Sequence, residues 1–299
     1  MLTQALGKGT TLSEPDWKER RACDLNLLDE ILGLTFQHRK EGRRHPVWDF
    51  LWDYYSFKPS KLRRWSAGVG SELESEIDAE YDDAIDWVYT GSGYTPDPQQ
   101  IDARRHQGIR WIFNHLKMTE LRSTKLDCFG LHEWAMVYRT DRPRHMQVPF
   151  RLSRKEINET VESLGLCCSH YDAFRFFTKS ARPLNLTELT SESRTQFEQP
   201  GCLHANMDLY KWAYKFYPWI STELVLQGLQ LAIEARRLDM EASPYDFSSF
   251  GFEAVPIETA DGRNEYQRRQ GQLALKAKPI RKRLIAAYES LYVLTSTPS

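Results

Sequence analysis

Apolar positions along this chain recur mainly at the three- and four-residue spacing of helices. Ser13 and Glu14 before Pro15 form a helix start, and the periodic run over 17–38 ends near Gly42. His45 stands at an N-cap position with Pro46 behind it. A second helix is therefore expected over VWDFLWDYYSF, ending before Pro59. A third is expected over 72–89, acidic in its first half and closed by the turn-rich TGSGYTPDP. The clearest amphipathic helix covers 101–116, with Ile101, Ile109, Ile112, Phe113 and Leu116 on its apolar side. Residues 129–139 and 170–178 are apolar at mixed spacing, and their class stays open.

Pro143 and Pro149 interrupt any helix through PRHMQVPFRLSRKEI (143–157), so that stretch reads as extended, with room for a small hairpin near 140–152. Ser153-x-x-Glu156 is a capping box opening a helix over 153–164. A loop rich in Thr, Ser and Glu covers 182–200. Helices follow from Gly201 to Phe216 and from Ser221 or Thr222 to about Met240, the latter stopped by Ser243-Pro244. Asp261 caps a last helix, expected to break at Pro279. Residues 261–299 read as a basic, solvated covering element. No strongly alternating strands appear. The expected fold is all-α or mainly α, a single compact multi-helix domain over 1–299.

Charge and composition narrow the function classes. Lys plus Arg total 40 and Asp plus Glu total 41, a formal net charge of -1, which excludes binding to nucleic acid or anionic lipid by bulk charge alone. No stretch approaches the ~20 apolar residues of a membrane span, and the first residues lack the pattern of a signal peptide. The five cysteines have no CxxC spacing, so a cytoplasmic protein with reduced thiols is expected. Gly68-Val69-Gly70 and Gly91-Ser92-Gly93 are too short to cradle phosphate, so no nucleotide cofactor is indicated.

Four segments combine histidine and carboxylate with aromatics: HPVWDFLWDYY (45–55), DCFGLHEWAMVYR (127–139), CCSHYDAFRFF (167–177) and GCLHANMDLYKWAYKF (201–216). Buried charge must be paired or metal-bound, and surrounding aromatics raise the cost of leaving it unpaired. His204 and Asp208 are four apart and share a helix face, the way helical bundles present inward ligands. His45 and Asp49 repeat that spacing. The candidate metal ligands are His132, His170, His204 and Asp208, and such a set suits Fe, Mn or Zn. Asp208, Asp172 and Glu133 are the candidate catalytic carboxylates. His45, Asp49 and Arg175 are candidate substrate contacts. Each also has a plain structural reading: an i,i+4 pair on a helix contributes only ~0.2–0.5 kcal/mol, and His45 can serve as an N-cap. Cys167-Cys168 beside His170 could supply a nucleophile, with buried structural thiols as the alternative.

The strings HPVWDFLWDYYSFKPSKLRRW, DCFGLHEWAMVYR, SHYDAFRFFT, ARPLN, EQPGCLHANMDLYKWAYK and LDMEASPYDF occur in order from residue 45 onward. In these the chain resembles a bacterial, notably actinobacterial, family commonly labelled 3-methyladenine DNA glycosylase. The resemblance implies hydrolysis of the N-glycosidic bond of alkylated purines in DNA, with the base flipped into an aromatic pocket. Trp48, Trp52, Trp134 and Tyr210 would then stack the cationic base, and Asp208 or Asp172 would activate water. The chain departs from the well-studied enzymes of that name. It has neither their glycine-turn hairpin followed by a catalytic Asp nor their Cys/His zinc arrangement. Three readings stand: a DNA glycosylase-like hydrolase with DNA or nucleobase as partner, a metal-dependent helical oxidase or hydrolase acting on a small molecule, and a non-catalytic protein with an aromatic binding groove.

Overall fold

A computed structural model describes residues 10–40, 42, 45, 47–76, 78–141 and 148–296, with the side chains of 34–39 and 296 left aside. The protein is mainly helical with one small sheet. The chain groups into two compact units. Unit 1 comprises Met1–Lys117, Leu209–Gln230 and Ile280–Ser299, and unit 2 comprises Met118–Asp208 and Leu231–Pro279.

Unit 1 opens with strand β1 (Thr10–Leu12), then α1 (Glu14–Lys40) and α2 (Trp48–Tyr55). Next come β2 (Ser71–Glu74), the short α3 (Ala79–Asp82), β3 (Trp87–Tyr89) and β4 (Gly93–Pro96). The sheet order is β1-β2-β4-β3, with β1 parallel to β2 and the other pairs antiparallel. The helix expected over 72–89 is thus two strands with one helical turn between them. The run read as its stop signal is instead a hairpin turn: Thr90 N–H donates to Gly93 O, and Gly91 takes φ 100°. Gly93 itself admits no side chain, since a Cβ there would lie 2.1 Å from the Leu73 carbonyl. One face of the sheet packs into a cluster of Leu12, Trp17, Trp65, Leu73, Tyr81, Trp87 and Tyr94. Aromatic burial of this kind outweighs the helical propensity of the acidic run.

The amphipathic stripe predicted over 101–116 is realised in α4 (Ala103–Leu121), where Ile109, Ile112 and Leu116 are buried. Leu209 to Lys215 of α9 (Leu203–Lys215) and Thr222 to Gln230 of α10 (Thr222–Glu241) complete unit 1 with the end of α11 (Ala260–Ser296). Tyr288 Oη donates to Trp212 O at 2.7 Å within this unit.

Unit 2 holds α5 (Leu131–Ala135), α6 (Arg154–Leu164), α7 (Tyr171–Phe174) and α8 (Arg194–Phe197), with the remaining parts of α9, α10 and α11. The capping box forms as the sequence predicts: Ser153 Oγ accepts from Glu156 N–H, and the Glu156 carboxylate accepts from Ser153 N–H. Of the hairpin expected near 140–152, residues 142–147 lie outside the described ones. The described Phe150 bridges Tyr245, and Arg151 N–H donates to Pro244 O.

The last helix runs on through Pro279 without the expected break. Proline removes the N–H that would reach the carbonyl of residue 275, and Leu275 is exposed, where water can serve that carbonyl. Nor is this helix a solvated cover: Tyr266, Gln270, Ala277, Arg281, Leu284, Tyr288 and Leu291 are buried at helical spacing.

Candidate metal centre

The site in unit 2 is built from three helices. Gly130 precedes α5 in a left-handed conformation (φ 69°), and a Cβ there would meet the Tyr266 ring at 3.2 Å. This turn sends His132 and Glu133 inward, both nearly fully buried. The first turns of α9 supply His204, and α10 supplies Arg236 and Asp239 one turn apart.

His132, His204 and Asp239 each offer a donor atom, and the three atoms lie within 4.8 Å of one another. His132 Nε2 stands 2.7 Å from Asp239 Oδ1. Both atoms are buried, and neither has a hydrogen-bond partner elsewhere among the described residues. The His132 and His204 rings meet edge to face with centroids 4.2 Å apart. Asp239 Oδ2 accepts from Arg236 Nη1 at 2.5 Å, and the same nitrogen donates to Glu133 Oε1 at 2.8 Å.

The electrostatics follow from burial and neighbours. Burial holds His204 well below the usual histidine range, and the neighbouring His132 adds to this, so its ring is neutral and keeps a lone pair to donate. Burial alone would raise the Asp239 carboxyl. His132, Arg236 and His204 outweigh it and hold Asp239 well below the usual carboxylate range. Glu133 and Asp239 flank the single Arg236 guanidinium, two buried carboxylates beside one fixed cation, a setting that accepts a further positive ion.

Beside His132 and His204 lies an enclosed cavity of about 20 Å³, also lined by Cys128, Cys167, Cys168, Cys202 and Tyr266. That volume suits one water molecule or ion. Burial pushes the thiols up, Cys168 to about 12 and Cys167 and Cys202 likewise upward, so they are protonated. A thiolate nucleophile at Cys167-Cys168 is therefore not supported.

The other candidates fall elsewhere. His170 stacks on His204 at 5.3 Å but is not among the three converging donors, its Nε2 lying 3.3 Å from Asp208 Oδ2 and 3.6 Å from Glu198 Oε1. Its Nδ1 accepts the Ala173 N–H at the start of α7. The carboxylate that joins His132 and His204 is thus Asp239, not Asp208. Glu133 is in the site, but as a partner of Arg236. Asp172 pairs with Arg194 at 2.7 Å and Arg175 at 3.5 Å, which accounts for both Asp172 and Arg175 as ion-pair residues. Trp134 is fully buried, its indole N–H donating to Ala242 O, so its ring offers no stacking face.

His45, Asp49, Trp48, Trp52 and Tyr210 belong to unit 1. There His45 Nδ1 accepts the Val47 N–H and Asp49 Oδ2 accepts the His45 N–H, while the N-cap of α2 is Val47, two positions on from the expected His45. Tyr210 is buried edge-on against Tyr55 and Phe57. The residue the sequence reading passed over is Asp239. Its signal is an Arg236-x-x-Asp239 pair at helical spacing in the run LAIEARRLDME, which also carries Glu234, Arg237 and Glu241. Comparison of the chain with protein families, with curated proteins and with solved structures finds no match.

Proposed function

We propose that unit 2 holds one divalent metal ion on His132, His204 and Asp239 and that the protein is a metal-dependent hydrolase. The observation that carries this reading is the convergence of one donor atom each from His132, His204 and Asp239 within 4.8 Å of one another, with the His132 and Asp239 atoms buried and bonded to no other group among the described residues. Two imidazoles and one carboxylate suit zinc or a neighbouring first-row ion, and three protein ligands leave a coordination position open. The adjoining cavity has room for a water molecule at that position.

The thiols favour hydrolytic over oxidative chemistry. Four cysteines line the cavity. Oxygen activation beside them would put even protonated thiols at risk of oxidation, whereas Lewis-acid activation of water leaves them intact. Arg236 holds Asp239 by one oxygen and leaves the other facing His132, and Glu133 fixes Arg236 in turn. Such outer partners orient ligands and tune their basicity.

Hydrolysis of an N-glycosidic bond, which the family resemblance implies, remains one substrate class for such a centre. The space of about 20 Å³ beside His132 and His204 is far smaller than a purine ring, which counts against a base flipped in at this point. The test is hydrolysis of a panel of ester, amide, phosphodiester and methylated-DNA substrates by the full chain. Measurements are made as purified, after chelation, and after return of Zn, Mn or Fe. Turnover of a panel member that is lost on chelation and restored by metal is expected. Full turnover by metal-free protein overturns the reading.

A further inference from the structure

A second site lies on the opposite face of α10 from Arg236 and Asp239. It is a cleft of about 490 Å³ in unit 2, lined by Arg237, Glu241, Glu253, Val255, Glu265 and Arg269 among others. The volume falls in the range of small-molecule sites. Glu241 is 4% exposed and anchors the floor: Arg237 Nε donates to its Oε1 at 2.8 Å, and Arg269 Nη2 donates to its Oε2. Each guanidinium has five N–H donors, so most of these remain for a ligand. Arg237 is 56% exposed along its side chain and reaches into the cleft.

The wall is built rather than loose. Gly251 turns the chain in a left-handed conformation (φ 74°), and Val255 N–H donates to the Glu241 carbonyl at 2.7 Å. The Pro256 carbonyl lies so close to Gly262 that a Cβ there would meet it at 2.0 Å. Ala254, Val255 and Pro256 give this wall an apolar strip.

The charges are not balanced. Two guanidiniums share one carboxylate, which leaves one positive charge in excess on that side. Glu265 is matched by a bidentate pair with Arg268. Among the described residues no cation pairs with Glu253, which is exposed at the rim. The cleft therefore presents one spare positive and one spare negative group beside an apolar strip. Arginine forks recognise carboxylates bidentately, and a lone carboxylate takes an ammonium.

We propose that this cleft binds a zwitterionic amino carboxylate, a free amino acid or a short peptide, its carboxylate on Arg237 and Arg269 and its ammonium on Glu253. This inference stands apart from the metal reading and needs no metal in the protein.

Calorimetric titration of the full chain with the common L-amino acids and alanyl-alanine tests it and separates the two sources. At least one of these probes binds. Its N-acetyl and its amide derivative bind at least about tenfold more weakly, since each leaves one charge unmatched. Glu253→Gln weakens the zwitterion by about tenfold and leaves the N-acetyl derivative unaffected. Arg269→Gln weakens both. Because Arg269→Gln removes one partner of a buried carboxylate, the exposed Glu253→Gln variant keeps the test decisive if the former folds poorly. Metal content is the same in Glu253→Gln and the parent chain, which separates this site from the metal centre. No binding up to about 10 mM, or binding of inorganic phosphate or the N-acetyl derivative as tight as that of the zwitterion, overturns the proposal.

Discussion

Arg236 shows how much one side chain carries in unit 2. It is 1% exposed and bonds both Glu133 and Asp239. Truncating it to a neutral side chain leaves two buried carboxylates sharing no guanidinium. Arg236→Met is expected to cost about 3–5 kcal/mol, read as a lowered urea midpoint with an unchanged slope. A loss below about 1 kcal/mol would show that the pair is not buried as described. The same residues show what a sequence can and cannot disclose. His132 and His204 stood out because each lies beside a carboxylate among aromatics. Asp239 did not, because His132 lies 107 positions away and only folding joins the two, while the local Arg236 pair reads as an ordinary i,i+3 ion pair. Asp208 was chosen in its place by the i,i+4 rule, which registers a shared helix face but not what that face meets.

At the scale of elements, helix ends were readable wherever a local hydrogen bond defined them. The capping box at Ser153 is one case, and Ser153→Ala is expected to lower stability by about 1 kcal/mol in thermal or denaturant unfolding. The small sheet was not readable. Its strands are three or four residues long, and their pairing joins β1 to β2 across some 60 residues, beyond the reach of any local periodicity. Helix packing in unit 1 offers a sharper test. A Cβ on Gly228 would stand 2.9 Å from Tyr210 Cα and 3.0 Å from its nitrogen, both backbone atoms of α9 that cannot yield. Alanine would gain ~1 kcal/mol in helix propensity. Overpacking costs ~1–3 kcal/mol, so Gly228→Ala is expected to be neutral to destabilising and never stabilising. A raised melting temperature would contradict the close crossing.

For the whole molecule, a few buried titratable groups, not the near-zero net charge, set the pH dependence of stability. His204 is held below its unfolded value near 6.5, so the unfolded chain binds a proton that the folded one refuses. Its contribution therefore falls as pH drops through about 6.5. Asp239 is also held below its unfolded value, and its contribution is lost only at pH below about 4. Both act in one direction. Chemical denaturation of metal-free protein should show stability declining from pH 7 to 5, with a His204→Gln variant losing that decline. A flat profile would contradict the neutral His204.

Metal stoichiometry of the purified chain tests the central claim most directly. Elemental analysis after dialysis against zinc and removal of loose ions should find about one ion per chain. Asp239→Asn and His204→Ala should retain less than about a tenth of that, whereas Asp208→Asn should keep it in full. A parent chain without bound metal, or an Asp239→Asn variant that binds as much as the parent, would contradict the assignment of His132, His204 and Asp239 as a metal centre.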